Sequence, residues 1–459
     1  MARSERFALL AIVLFFAAAY SLYGLFRHWH FGSSAFDMGI FDQVVWHLSR
    51  FETPASSVRE IRNFLGDHFF PIVALFAPLY WISPGPATLI VAQAAIFAAS
   101  IVPVFLFARR RLPRGPALAI AVAFGCFWGI QRAMAFDVHE VSFATLAVAT
   151  AILAMDRRDW RLFWIAIAAM LLTKEDMIPL AGMLGIYLIV IEGERRRGAV
   201  LIGVSAAALV MVVGILVPLF NEAGTYGYAS AYSDVLARPG LIPITLVTPP
   251  TKVATAVLWF VPFAFLSLAS PLALLAIPFA LTRFLSVSPN HWGTVFHYSA
   301  PLAPIVAMSA ADGLAKIAAR LRSQHHDAAA RRAITGVAVA SVILSAFVPG
   351  RQPLWRVFAP SHYRGATTAA IGDSVVAMVP ADASVVAQGA IVPHLSMRND
   401  IHVLTADAPD ADFVVTAEEL DPWPLSRRDE VTTLLEERRA RGYSVVFAQG
   451  GWTLLRRSR

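Results

Sequence analysis

Ionisable side chains in this chain gather in five short runs. FDMGIFDQ carries Asp37 and Asp42. RNFLGDH carries Arg62, Asn63, Asp67 and His68, and FDVHE carries Asp137, His139 and Glu140. TKED supplies Lys174, Glu175 and Asp176, and NHWGTVFHY supplies His291, His297 and Tyr298. A carboxylate within hydrogen-bond reach of a hydroxyl can take its proton. A lysine or arginine can neutralise charge developing on a departing phosphate, which nominates Lys174, Arg62 and Arg283. Imidazole and carboxylate together suit Zn or Mn, so His68, His139 and Glu140 form a candidate set for a divalent cation or for orienting a sugar.

Each run also has a plainer reading. Asp37 and Asp42 are five residues apart, which is not one helical face, so they stand as two separate candidate acids. Asp37 precedes Met38-Gly39, as a helix N-cap would. Asp42, followed by Gln43, suits a structural role. TKED equally suits the cap of a helix hairpin at a membrane interface. His297-Tyr298 precedes Pro301 and Pro304 at a helix start, where capping or interface anchoring accounts for the Tyr as well as ligand contact does.

The elements that must carry these runs are apolar. Of 459 residues, 57% are hydrophobic and 15% charged, against roughly 25% charged in soluble domains. This excludes a soluble single domain, a disordered chain and a disulfide scaffold. Cys126 is the single cysteine and sits in an apolar run as a packing residue. The net charge is +7, and all but three of the basic residues are arginines; the lysines are Lys174, Lys252 and Lys316. In a membrane protein such an excess is the positive-inside signal and a contact for anionic lipids. No nucleic-acid-binding motif accompanies it.

A spanning helix needs about 20 mostly apolar residues. Phe7–Phe26 is the first, retained because no small-x-small cleavage site follows before the aromatic run Tyr20–Trp29. Further spans are expected near 86–108, 116–134, 141–155, 160–174, 177–191, 198–219, 253–269, 270–285, 297–317 and 332–349, about eleven in all; 253–285 reads as two helices or one bent element. Arg3/Arg6, Arg109–Arg111 with Arg114, Arg157/Arg158/Arg161, Arg195–Arg197 and Lys316–Arg332 mark one set of short loops. The positive-inside rule puts these, and the N-terminus, in the cytoplasm. The five ionisable runs then share the external face of a multi-pass plasma-membrane protein. Even on the gentle insertion scale, a charge in the bilayer costs about 2.5–3.5 kcal/mol, so TKED, between two short apolar spans, is expected in a wet cavity.

The expected organisation is a transmembrane module at 1–349 followed by a small extracytoplasmic α/β domain at 350–459. The module includes a long external first loop at about 27–85. Within that loop, Phe36–Phe51 and Phe69–Ile82 read as interfacial or re-entrant helices on the membrane. In the tail, short β-like runs at Ser384–Gln388, Ile401–Leu404, Phe413–Thr416, Tyr443–Ala448 and Trp452–Leu455 alternate with helical patterns near Thr367–Met378 and Arg427–Arg441. Gly450-Gly451 is a hairpin turn. No nucleotide-binding glycine fingerprint occurs there.

The runs FDMGIFDQVVWHL, NFLGDHFFPIVALFAPLY, FDVHEVSFA, TKED and HYSAPLAP, in that order, together with PHLSMRNDIHVL in the tail, resemble the DUF2079 family of membrane proteins. That family resembles in architecture the GT-C glycosyltransferases: multispanning enzymes with a long first external loop, an acidic catalytic residue soon after the first span and often an external C-terminal domain. The resemblance implies transfer of a sugar from a polyprenyl-phosphate donor to an envelope glycan or protein acceptor outside the membrane. Asp37 matches the first-loop acid by position. The chain lacks the Asp-Glu pair of several GT-C families, which leaves Asp37 and Asp42 as alternatives. On this reading Arg62, Asn63, Lys174, Glu175, Asp176, Arg283, His297 and Tyr298 bind substrate. A transporter or lipid flippase is the alternative, and would place polar groups near the bilayer midplane and at two gates. A non-enzymatic envelope scaffold is a third.

Overall fold

A computed structural model describes residues 2–364 and 367–458. Two compact units divide the chain. One takes the chain up to Ser21, His68–Ile72 and Gln93–Trp355; the other takes Leu22–Asp67, Val73–Ala92 and the chain from Arg356 onward. The tail, expected as a domain of its own, thus groups with most of the long first loop.

The first unit is helical. Among the described residues, the chain has six helices long and apolar enough to cross a membrane: Arg3–Trp29, Pro86–Arg109, Arg114–Ala135, Arg195–Phe220, His297–Ser323 and Asp327–Phe347. The pair Pro239–Val247 and Pro250–Phe263, bent by 63°, makes a seventh if counted as one span. The expected figure of about eleven included stretches that fold as shorter helices: Val141–Arg157, Trp160–Leu171 and Ile178–Val190, and Pro271–Phe284. The cause is local. Lys174 is extended (φ −172°, ψ 151°) between two of them, and Pro179 stands in the first turn of the next, where its missing N–H costs nothing. Helices Ile178–Val190 and Arg195–Met211 approach closely at small residues. A Cβ on Gly198 would lie 2.5 Å from the Gly185 carbonyl oxygen, so the two glycines permit the backbone contact typical of membrane helix pairs.

The second unit carries a five-stranded sheet: β1 (Val385–Ala387), β2 (Ile401–Val403), β3 (Phe413–Ala417), β4 (Tyr443–Gln449) and β5 (Trp452–Arg457). Its order is β2-β1-β3-β5-β4. β1 pairs in parallel with β2 and β3, and β5 pairs antiparallel with β3 and β4. Gly450 and Gly451, at φ +57° and +77°, make the β4–β5 turn, a conformation glycine adopts without steric cost. Helix Arg428–Ala440 covers one face, where Val431 and Leu434 meet Val386, Val414 and Leu455.

The first-loop helix Ile40–Ser49 is a correction to its expected place on the membrane surface. Ile40, Phe41, Asp42, Gln43, Val44, Val45 and His47 are all buried. It packs inside the second unit: the Gln43 amide donates to the Arg398 carbonyl at 2.7 Å, and Gly39 abuts Val392. A helix buried all round belongs to a core. The second expected loop helix appears as Pro71–Tyr80.

Candidate functional site

In the helical unit the TKED run forms a corner. Thr173 Oγ1 donates to the Met170 carbonyl at 2.5 Å and closes the preceding helix. Lys174 steps out in extended form, and Glu175–Met177 make one tight turn into the next helix. The Glu175 carboxylate is fully engaged. His68 Nδ1 lies 2.6 Å from Oε1, the Tyr226 hydroxyl donates to the same oxygen at 3.1 Å, and the Phe69 N–H donates to Oε2 at 3.0 Å. Burial pushes this carboxyl up, but the charge and hydrogen bond of His68, the Lys174 charge and the Phe69 N–H outweigh it and hold it at about 2. Asp176 goes the other way. Burial raises it, Lys174 lowers it and the neighbouring Glu175 and Glu140 raise it again, to about 6.

Lys174 is the centre of charge. Burial disfavours its ammonium, yet Glu140, Asp176 and Glu175 together keep it well above the ordinary lysine range. It pairs with Glu140 Oε1 at 3.6 Å, beyond hydrogen-bond length. That oxygen is buried and has no hydrogen-bond partner among the described residues. The FDVHE loop that delivers Glu140 is held by Gln93, whose amide donates to the Asp137 carbonyl and accepts from the His139 N–H, both at 2.8 Å. Asp137 sits at φ +69°. The His139 ring stacks on His297 with centroids 3.8 Å apart. Both ring nitrogens of His297 are buried without a hydrogen bond among the described residues. Burying a polar atom unpaired costs free energy, and such atoms call for a specific explanation.

Arg283 is buried and spends three of its N–H groups on its own surroundings: the His291 carbonyl at 2.8 Å, the Gly293 carbonyl at 2.8 Å and Ser299 Oγ at 2.6 Å. It therefore organises the loop that carries His291, with Tyr298 packed beside it. His291 Nδ1 lies 2.9 Å from Ser286 Oγ. Burial lowers its pKa to about 4.

In the second unit the two first-loop acids separate by environment. Asp37 lies within an irregular turn at φ +84°, ψ −78°, and the helix after it has Gly39, not Asp37, at its N-cap. A non-glycine residue there stores backbone strain, which concentrates at functional sites. Asp42 is fully buried and takes hydroxyl donors from Tyr80 and, at 2.7 Å, from Ser396. Burial pushes its carboxyl up to about 6 against those two hydrogen bonds. Asn63 caps a short turn, accepting from the Leu65 N–H at 3.1 Å, and Arg62 lies in the same loop.

The structure thus gathers Lys174, Glu175, Asp176, His68, His139, Glu140, His297, Tyr298 and Arg283 in the helical unit, while Asp37, Asp42, Arg62 and Asn63 belong to the other. His68, His139 and Glu140 do not form one ligand set. His68 is bound to Glu175, and among the described residues no three His, Cys, Asp or Glu side chains group to hold a metal ion. Three participants lay outside the sequence reading: Tyr226, Tyr228, whose ring stacks on His68 at 4.1 Å, and Gln93. The tyrosine-dense run YGYASAY, Tyr226 to Tyr232, was a signal for the first two; Gln93, inside an apolar helix, gave one as an isolated buried amide.

Comparison with solved structures gives the fold. ArnT from Cupriavidus metallidurans bound to undecaprenyl phosphate aligns with a TM-score of 0.58 and 14% identity, over 97% of each chain. The same enzyme in the apo state aligns at 0.54 and 14%, again over 97% of each. The archaeal oligosaccharyltransferase AglB from Archaeoglobus fulgidus, in complex with an inhibitory peptide and a dolichol-phosphate, aligns at 0.52 and 12%, over 100% of this chain and 75% of its own. No curated protein matches the sequence. The fold is that of these solved structures, a helical polytopic module with a small C-terminal sheet. The family model described as predicted membrane protein (DUF2079) matches residues 27–454, and the chain belongs to that family.

Proposed function

We propose that this protein is a membrane glycosyltransferase that moves a sugar from a polyprenyl-phosphate donor to an envelope glycan or protein acceptor on the external face of the membrane. The observation that carries the reading is the Lys174 ammonium, 14% exposed and paired at 3.6 Å with Glu140, beside polar atoms of Glu140 and His297 that are buried and have no hydrogen bond among the described residues. The fold supports the enzyme class, and two of the aligned structures hold a polyprenyl or dolichyl phosphate.

The chemistry assigns the roles. An acceptor hydroxyl attacks the anomeric carbon while the bond from that carbon to the phosphate oxygen breaks. The hydroxyl proton passes to a carboxylate, the role given to Asp37. The lipid phosphate leaves as a monoester carrying one more negative charge than the donor diester. A preorganised cation facing that developing charge lowers the barrier most, and this is the role given to Lys174. Glu175, held ionised, and His68 keep the lysine corner in place. Asp42 is assigned to anchoring and Arg283 to loop support.

The test is donor consumption by purified protein in lipid nanodiscs, followed by mass spectrometry over a panel of polyprenyl-phosphate sugars with a crude envelope extract as acceptor. One donor is expected to disappear with wild type and to persist with Asp37→Asn. Full turnover by a folded Asp37→Asn protein would remove the base assignment. If wild type neither consumes nor binds any donor, transport replaces transfer as the reading.

A further inference from the structure

The sheet of the second unit has a topological switch point. β1 leads to β2 on one side, and β3 returns to the other side of β1. In open α/β sheets ligands bind at such a point, outside the carboxyl ends of the parallel strands. Here a cavity of about 440 Å³ opens at that place, lined by the ends of β1 and β3, by β5 and by helix Arg428–Ala440. The volume lies within the roughly 300–1,000 Å³ of small-ligand sites.

The side chains change character on reaching it. Strand side chains alternate between faces with a period of two. Beneath the helix the layer is Val386, Val414 and Leu455. Two residues further toward the cavity, on the same face of the same strands, stand Gln388, Thr416 and Thr453, with Thr416 and Thr453 directly paired. Packing alone would continue the apolar row. Thr416 is 2% exposed and lines the cavity. Gln388 is spent on the loop above, donating to the Asp421 carbonyl at 2.8 Å and accepting from the Ala417 N–H at 3.0 Å; it holds the rim rather than the ligand. From the helix, Thr432, Glu436 and Arg439 face the cavity.

We propose that this crevice is a saccharide-binding site that takes a neutral sugar of one or two rings. Hydroxyls, carboxylates and a guanidinium in one polar cleft can each donate to or accept from ring hydroxyls. The charge balance opposes an anion. Glu418, Asp429 and Glu436 outnumber Arg428 and Arg439 in the lining. Asp429 and Glu430 already occupy the first turn of the helix, where a phosphate would otherwise gain most. The inference does not depend on the glycosyl-transfer reading, since it concerns free sugar binding to the second unit.

Saturation-transfer NMR on the full chain in nanodiscs tests it, with cellobiose, maltose and diacetylchitobiose as probes and inorganic phosphate as competitor. At least one disaccharide is expected to bind, unaffected by phosphate. Its affinity should fall at least tenfold in the double variant Glu436→Gln/Arg439→Gln, whose exposed side chains leave the unfolding temperature unchanged. Absence of disaccharide binding, displacement by phosphate, full binding by the double variant, or loss of binding in Lys174→Met instead would each overturn the proposal.

Discussion

Around Asp156 and Asp312 the basic residues of the helical unit share carboxylates at short range. Arg110 and Arg111 reach Asp156 at 2.7 and 2.6 Å, Arg111 also reaches Asp312 at 3.1 Å, and Lys316 reaches Asp312 at 2.7 Å. Nearby, Arg158 and Arg197 share Glu194, each at 2.5 Å. Around Lys174 the same residue types are arranged otherwise. Lys174 pairs with Glu140 at 3.6 Å, and among the described residues polar atoms of Glu140 and His297 are buried without a hydrogen bond. In the first region each carboxylate is answered by close basic side chains; in the second, buried polar atoms of Glu140 and His297 have no hydrogen bond among the described residues. A polar atom buried without a partner costs free energy, and a ligand that reached these atoms would gain by supplying one.

The largest effect that would sharpen this contrast is expected from Lys174→Met. It leaves Glu140, Glu175 and Asp176 without their common cation, and breaking such a buried set costs about 3–5 kcal/mol. On the proposed role of Lys174 opposite the departing phosphate, its loss should lower donor turnover by about 100- to 1,000-fold. Thermal unfolding and donor consumption measured on the same preparation check both. A stable, fully active variant would break the comparison, because Lys174 would then be no different from Lys316.

Next in size are two buried carboxyls with opposite shifts. Glu175 is held at about 2 against an ordinary value of 4.5. A depressed acid contributes stability above its unfolded value and loses it as pH falls toward the folded one, so wild type should weaken between about pH 4.5 and 2. The contribution is about 3 kcal/mol at neutral pH. Glu175→Gln should be less stable at pH 7 and lack that slope, as read by unfolding temperature in detergent. Asp42 is pushed up to about 6 from 3.8. A raised acid costs stability as pH climbs through that interval. Asp42→Asn should therefore match wild type below pH 4 and exceed it at pH 7 by up to about 3 kcal/mol, with donor turnover retained. A variant that folds but loses turnover would return Asp42 to the list of catalytic acids.

How far the sequence foretold these sites follows from the range of the interactions. All five strands, both tail helices and the Gly450-Gly451 turn were legible because alternation and turn chemistry are local. TKED was legible as a polar corner between helices because three charges stand between apolar runs. The strain at Asp37 was not, since a φ of +84° in a non-glycine residue is imposed by surroundings rather than by its neighbours in sequence. Nor was the burial of helix Ile40–Ser49: its partners, Arg398 and Ser396, lie some 350 residues away, and an apolar stretch of that length reads alike whether it meets lipid or protein. Arg283 looked like a phosphate ligand because nothing in LTRFLS announces that the carbonyls of His291 and Gly293 will claim it.

The smallest expected effect lies in the satisfied region and is the control for all the others. Arg197 pairs with Glu194 at 2.5 Å, but its side chain is 41% exposed. Exposed pairs gain little Coulomb energy, lose side-chain entropy on ordering and are screened by salt, so their usual worth is about 0–1 kcal/mol. Arg158 also reaches Glu194, so the carboxylate keeps a partner when Arg197 is gone. Arg197→Gln should shift stability by about 0.5 kcal/mol or less, and that small shift should vanish in high salt. Turnover should stay within twofold. A loss comparable to that of Lys174→Met would mean that the two charged regions act together rather than one as scaffold and the other as site.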